Sequence, residues 1–333
     1  MLPEVSSLNL FSRMMAPFMV RRVDGEMATL PTKHPPQIAR CGMFSDQAQL
    51  YAAYESWSTD RINRELAQHQ NEDVNMGVIS QCLWSLRFAA SDPTAREHLV
   101  RDHPECPQIA LPSGATTAKI EETLRLIRDI RSRGDKVIVT SPLRPLLAAV
   151  GIRLKRERIG FTQVTAGVSM KKRHELIKEF NRDETPVLLA SMGAIARGLD
   201  IIGANHIIVL ALEWSPEILK QVCGRIHRPG QVKECYEYIL LSGGTIDEDM
   251  HNLCGAKFQA LREAIDGTAR YATVADILER ATNAAQLEVA RRITKKPRAV
   301  YVPGSVLPVA LVVDPEPAII PVPITAAAQI SLF

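Results

Sequence analysis

Between residues 116 and about 265, short apolar runs alternate with stretches of helical periodicity, and this alternation restricts the chain to one fold class. KVIVTS (136–141), VLLAS (187–191), HIIVLAL (206–212) and CYEYILL (235–241) read as strands, with FTQVTAG (161–167) as a further short one. Strands apolar at nearly every position are buried on both faces, the condition of a parallel sheet whose crossover helices cover it. The helices lie between them. TAKIEETLRLIRDIRSRG (117–134) is amphipathic and is ended by Gly134. Another starts near residue 143, and SMKKRHELIKEFN (169–181) opens on a serine cap. On such sheets ligands bind in the loops after the carboxyl ends of the strands. The expected fold is therefore α/β, a parallel sheet flanked by helices, preceded by a mostly helical region and followed by a Pro-rich tail.

The flanks differ from this core. Residues 1–112 read as irregular and mostly helical, with apolar residues at helical spacing in 46–70 and again in 78–90, and LPTKHPP (30–36) as a turn or extended link. A separate C-terminal helix is expected in 269–296, from VADILERATNAAQLEVARRITKK (274–296), and 297–333 as a flexible tail. That tail is apolar but broken by prolines and two acidic residues, so it does not read as a membrane span. The lead residues lack the charge-then-apolar order of a signal peptide. Six cysteines without a C-x-x-C pair suit reduced thiols in a cytosol and give little support to zinc or disulfides. With 40 Lys+Arg against 37 Asp+Glu, the net charge of +3 does not argue for nucleic acid unless the basic residues cluster locally.

Chemistry concentrates in two stretches of the 116–265 core. After VLLAS comes MGAIARGLDIIGAN, with Arg197, Gly198 and Asp200 where an α/β sheet presents ligands. After HIIVLAL comes EWSPEILKQVCGRIHRPGQ. Arg225 and Arg228, three apart, would point from one face of a helical turn, and paired guanidinium forks suit a polyphosphate.

In that order these residues resemble the second RecA-like lobe of superfamily 2 helicases, and among them the Swi/Snf type of DNA translocase. SMGAIARGLD stands at motif V, EWSP at the tryptophan-proline element, and QVCGRIHRPGQ matches motif VI (Q-x-x-x-R-x-H-R-x-G-Q) at every fixed position. GVSMKKRHELIKEFN fits the stretch before motif V, and MMAPFMVRRVDGEMATLPTKHP (14–35) resembles the close of the first lobe. Ile195 and Ala196 replace a usual glycine pair, ARGLD being nearer DEAD-box and phage-type helicases, and Ala211 and Glu213 stand where an acidic residue is displaced.

The resemblance implies ATP with Mg²⁺ as cofactor and DNA as partner. Arg225 and Arg228 would act on the γ-phosphate as catalytic arginines. Gln221, Gly198 and Asp200 would lie at the nucleotide, the last two coupling its state to DNA. Ser141, Thr165, Gly167, Ser191 and Trp214 would make DNA contacts from strand-end loops, with Lys171, Lys172 and Arg173 as either a basic patch or a solvated helix face. His227 gains no orienting partner from the sequence and is not assigned as a base. A phosphate-cradling G-x-x-x-x-G-K-[ST] does not occur in the chain, nor does a D-E-x-H pair; SGATTAKIEE places its lysine, Lys119, inside a helix, and the acidic TIDEDM (245–250) reads as charge at a helix start. The implied activity is thus half of a DNA-dependent ATPase completed by a first-lobe polypeptide; the alternative is a helicase-like DNA or clamp adaptor that no longer hydrolyses ATP. Finally, QISLF resembles the peptide by which bacterial proteins bind a sliding clamp, through Gln329, Ile330, Leu332 and Phe333. A bacterial or phage-infected cytoplasm would follow.

Overall fold

The computed structural model describes residues 30–68, 74–92, 105–107, 109, 116–196, 198–253, 282–295 and 310–313. Its described strands form one sheet in the spatial order β3-β4-β2-β5-β6-β1-β7. In chain order the strands are β1 (Gln37–Cys41), β2 (Val137–Ser141), β3 (Phe161–Val164), β4 (Val187–Ser191), β5 (His206–Val209), β6 (Tyr236–Ser242) and β7 (Ala310–Val313). Every pairing among the first six is parallel, and only β7 runs antiparallel, against the outer edge of β1.

The strands are apolar on both faces because both faces are covered. Alternate residues such as Val139, Leu189, Ile208 and Leu240 pack with α3 (Ala118–Ser132) and α4 (Arg144–Arg156). Their neighbours Ile138, Leu188, Ile207 and Ile239 share the other core with α1 (Ser45–Gln68), α2 (Met76–Ser91), α5 (Met170–Phe180) and α8 (Thr282–Lys295). Local chemistry sets the helix ends. The Thr117 hydroxyl accepts from Ile120 N to open α3, Gly134 at φ +74° follows its end, and the Ser169 hydroxyl accepts from Lys172 N to open α5. Shorter helices α6 (Met192–Ile195) and α7 (Pro216–Cys223) stand on loops after strands, and residues 246–253 are helical after β6.

Two expectations change. The region before residue 113 is not only helical, because QIARC forms β1 within the lobe's own sheet, paired residue for residue from Gln37–Tyr238 to Cys41–Ser242. The tail contributes β7, with Val313 opposite Gln37 and Ala310 opposite Arg40; residues 314–333, and the first-lobe-like stretch 14–29, lie outside the described residues. The C-terminal helix is described over Thr282–Lys295, its earlier part falling outside.

A buried polar knot joins the flanking helices to the sheet. Lys119 pairs with Asp247, both almost fully buried, and Lys119 Nζ also donates to Ser91 Oγ at 3.2 Å. Asp247 accepts from Ser242 N at 3.0 Å, the Ser242 hydroxyl donates to Ala90 O at 2.6 Å, and Gln47 Nε2 donates to Ala90 O at 2.8 Å. The acidic start of the 246–253 helix therefore includes one carboxylate that is a core residue, not solvated end charge. Among the described residues, no helix is long and apolar enough to cross a membrane.

Candidate functional site

The loops after β2, β3, β4 and β5 leave the carboxyl edge of the sheet; the one after β4 runs back to the start of β5 at His206, and there the segment 224–231, which leads into β6, closes over it. That loop, 196–204, is held from two sides. Arg225 Nη1 donates to Leu199 O at 3.1 Å, Nη2 donates to Ala196 O, and Ile201 N donates back to Arg225 O at 3.2 Å. Gln231 Nε2 lies 2.9–3.2 Å from the carbonyls of Ile202, Ala204 and Ile226. From the opposite side, Asn181 Nδ2 donates to Asp200 O and Asn181 Oδ1 accepts from Gly203 N, each at 3.0 Å. Gly203 is required by this closeness: a Cβ there would sit 2.7 Å from Asn181 Cα. Gly198 needs glycine for another reason, its φ of +66°.

The two arginines do not share a helical face as the spacing suggested. Helix α7 ends at Cys223, Gly224 caps it, and the chain continues in turns that send the two side chains different ways. Arg225 turns inward and is 6% exposed. Burial lowers its pKa, Arg228's charge adds to the lowering, and Asp200 opposes it. The Arg228 side chain remains 42% exposed, with Nε donating to Gly224 O at 3.1 Å and lying 3.9 Å from Asp200 Oδ1. Among the described residues, its two terminal nitrogens have no hydrogen-bond partner, so a bidentate donor fork faces outward. Gln221, Gly198 and Asp200 are also exposed near this fork's loops; Arg197 lies outside the described residues.

The strand-end residues divide similarly. Gly167 is exposed and Thr165 half-buried. Ser141, Ser191 and Trp214 do not face solvent, a correction to their expected role. The Ser141 hydroxyl is fully buried and accepts from Leu143 N at 3.0 Å, bracing the turn into α4. Ser191 ends β4 inside the core beside Ser141 in register, and the Trp214 ring is packed in the larger core. Lys171 and Lys172 are exposed on α5, but Arg173 folds back, donating to Val168 O at 2.7 Å and Ala166 O at 2.8 Å, and so props the Thr165–Gly167 loop. His227 Nε2 donates to Pro31 O at 2.9 Å, tying 224–231 to the LPTKHPP stretch. The clamp-like residues Gln329, Ile330, Leu332 and Phe333 lie outside the described residues.

Asn181, Gln231 and Arg173 thus position the site, although the motifs assign no role to the first two. Asn181 and Gln231 stand in the stretches FN and GQ, where a signal existed. Side-chain amides that bracket a loop from the preceding and the following connection leave no periodic trace.

A parallel sheet flanked by helices, with an arginine segment closed over the loop after β4, is the architecture of a RecA-like lobe. Residues 118–230 match the helicase conserved C-terminal domain. The chain is 36% identical over 121 residues to the human DNA repair and recombination protein RAD54-like, covering 35% of this chain and 16% of that protein. It is 31% identical over 161 residues to a Caenorhabditis elegans homologue of the SWI/SNF-related, matrix-associated, actin-dependent regulator of chromatin subfamily A containing DEAD/H box 1, covering 48% of this chain and 16% of that protein. The chain spans roughly a sixth to a quarter of the length of these and similar relatives, 15% to 27% in the matches at 28% identity. In fold it is similar to the C-terminal part of the Fun30 ATPase domain (TM-score 0.56, 17% identity, 79% of this chain and 99% of that one). It is similar also to the Sulfolobus solfataricus SWI2/SNF2 ATPase core in complex with dsDNA (TM-score 0.57, 19% identity, 84% of this chain and 55% of that one). Residues 118–230 are thus similar to a helicase C-terminal domain, and the similar proteins named here include RAD54-like and SWI/SNF-related ones.

Proposed function

We propose that this chain is the C-terminal half of a DNA-dependent ATPase, acting with a first lobe that lies outside it. The observation that carries this reading is the outward fork of Arg228 beside Asp200, over a loop fixed by Arg225, Gln231 and Asn181. A donor pair held in place before its ligand arrives is what a triphosphate's terminal oxygens require, and such an arginine accelerates transfer about 10³–10⁵-fold in comparable enzymes. ATP with Mg²⁺ would supply the phosphoryl group. Arg228 would bind the γ-phosphate directly; Arg225, buried beneath, would keep Gly198 and Asp200 in place, and Gln221 would border the same edge. The phosphate loop and the magnesium-holding carboxylates would come from the first lobe, because this sequence contains neither motif.

The DNA would run along the carboxyl edge, touching Thr165, Gly167 and the lysines of α5 through phosphates, without sequence preference. Retention of the Arg228 fork favours this reading over an ATP-independent adaptor, which has no use for it. A sliding clamp bound by Gln329–Phe333 fits as an additional partner, one that removal of residues 329–333 would abolish in a pull-down. The decisive measurement is DNA-stimulated ATP hydrolysis by this chain alone and mixed with the first-lobe polypeptide. Turnover is expected only in the mixture, and robust turnover by the chain alone would refute the half-site.

A further inference from the structure

We propose that Arg87, in α2, is a positioning residue for the arginine segment. Its side chain is 1% exposed and stands among the largest fully buried side chains of the molecule. Burying a guanidinium is costly unless specific partners replace its water. Here Nη2 donates to Leu212 O at 2.5 Å, while the guanidinium carbon lies 4.5 Å from the Trp84 ring centroid and 5.7 Å from that of Trp214. A flat, weakly hydrated cation suits a slot between two indoles in a way that an ammonium does not.

What the slot grips matters. Leu212 and Trp214 flank Glu213 in the short passage between β5 and α7, and α7 opens at Pro216. One side chain therefore holds two of the residues from which α7 springs. Eight residues later α7 ends, and Gly224, Arg225 and Arg228 follow. The far end of this arm is already fixed by Arg225 and Gln231 to the 196–204 loop, so Arg87 fixes its near end. The grip comes from outside the 118–230 helicase match, from a helix packed on α1 and α8. A displacement of that helical layer would be transmitted to Arg228 through this contact. The link to ATP rests on the function proposed above; the grip itself does not.

The test is amide hydrogen exchange on the full chain with Arg87→Lys and Arg87→Met. Loss of a charge-assisted hydrogen bond should speed exchange of residues 212–223 at least about tenfold, with the amides of β2 and β4 unchanged. Uniform acceleration across the sheet would show a residue that only stabilises the core, and unchanged exchange in 212–223 would show no grip; either result overturns the proposal. Should Arg87→Met not fold, Arg87→Lys alone decides. In the first-lobe mixture, Arg87→Lys should lower kcat with KM for ATP unchanged, and equal loss in both would also count against it. Absence of wild-type turnover in that mixture would reject the half-enzyme, while the exchange rates would still decide for or against the grip.

Discussion

Arg225 and Arg228 differ by three positions and by the whole thickness of a loop. Arg228→Ala should abolish turnover in the first-lobe mixture while DNA affinity, measured by fluorescence anisotropy, changes little. Arg225→Ala should behave differently, accelerating exchange of the amides in 198–204 and lowering the melting temperature, because it leaves the carbonyls of Ala196 and Leu199 without their donor. Gly203→Ala tests the same loop by steric means: with Asn181 Cα in the way, it should destabilise by about 1–3 kcal/mol in chemical denaturation. The arginines' identity as phosphate-suited residues was legible from their motif. Their directions were not, because periodicity was carried through Gly224, where the helix in fact stops. Likewise Trp214 was visible as a motif residue, while its burial depends on Arg87 and Trp84 from a segment more than a hundred positions earlier.

Elements whose residues answer to one partner were readable, and those made by distant pairing were not. β2, β4, β5 and β6 announced themselves because both their faces are buried. β1 is five residues including a glutamine and an arginine, and its strand character comes from lying between β6 and β7. The Lys119–Asp247 pair shows how strongly these pieces are joined. Removing one partner leaves a buried charge, so Lys119→Met should cost about 3–5 kcal/mol in denaturant melts, and adding Asp247→Leu should recover part of the loss. At the opposite edge of the sheet, His206 opens β5, stacked on Tyr236 with Nε2 3.3 Å from Asp135. Burial holds its pKa below the usual histidine value, with Asp135 opposing. The unfolded chain then binds the proton more readily than the folded one, so stability falls as pH drops through and below the ordinary histidine range. Thermal melts from neutral to mildly acidic pH should show this decline, and His206→Gln should flatten it.

At the scale of the molecule, the helicase match marks a segment and not a folding unit. The face of the sheet carrying Ile138, Leu188 and Ile207 is covered in large part by α1, α2 and α8, all outside residues 118–230. A fragment of residues 113–268 should therefore aggregate in size-exclusion chromatography, whereas 30–313 should elute as a discrete species and melt cooperatively. Periodicity marked the first hundred residues as helical, but nothing in it said that they belong to the same core.

The reversed direction of β7 sets where the rest of the chain departs. It enters beside Arg40, near the carboxyl edge, and leaves beside Gln37, at the edge that holds His206. The strand thus delivers the chain, at Val313, to the edge where 224–231 leads into β6, and away from the Thr165–Gly167 loop that follows β3.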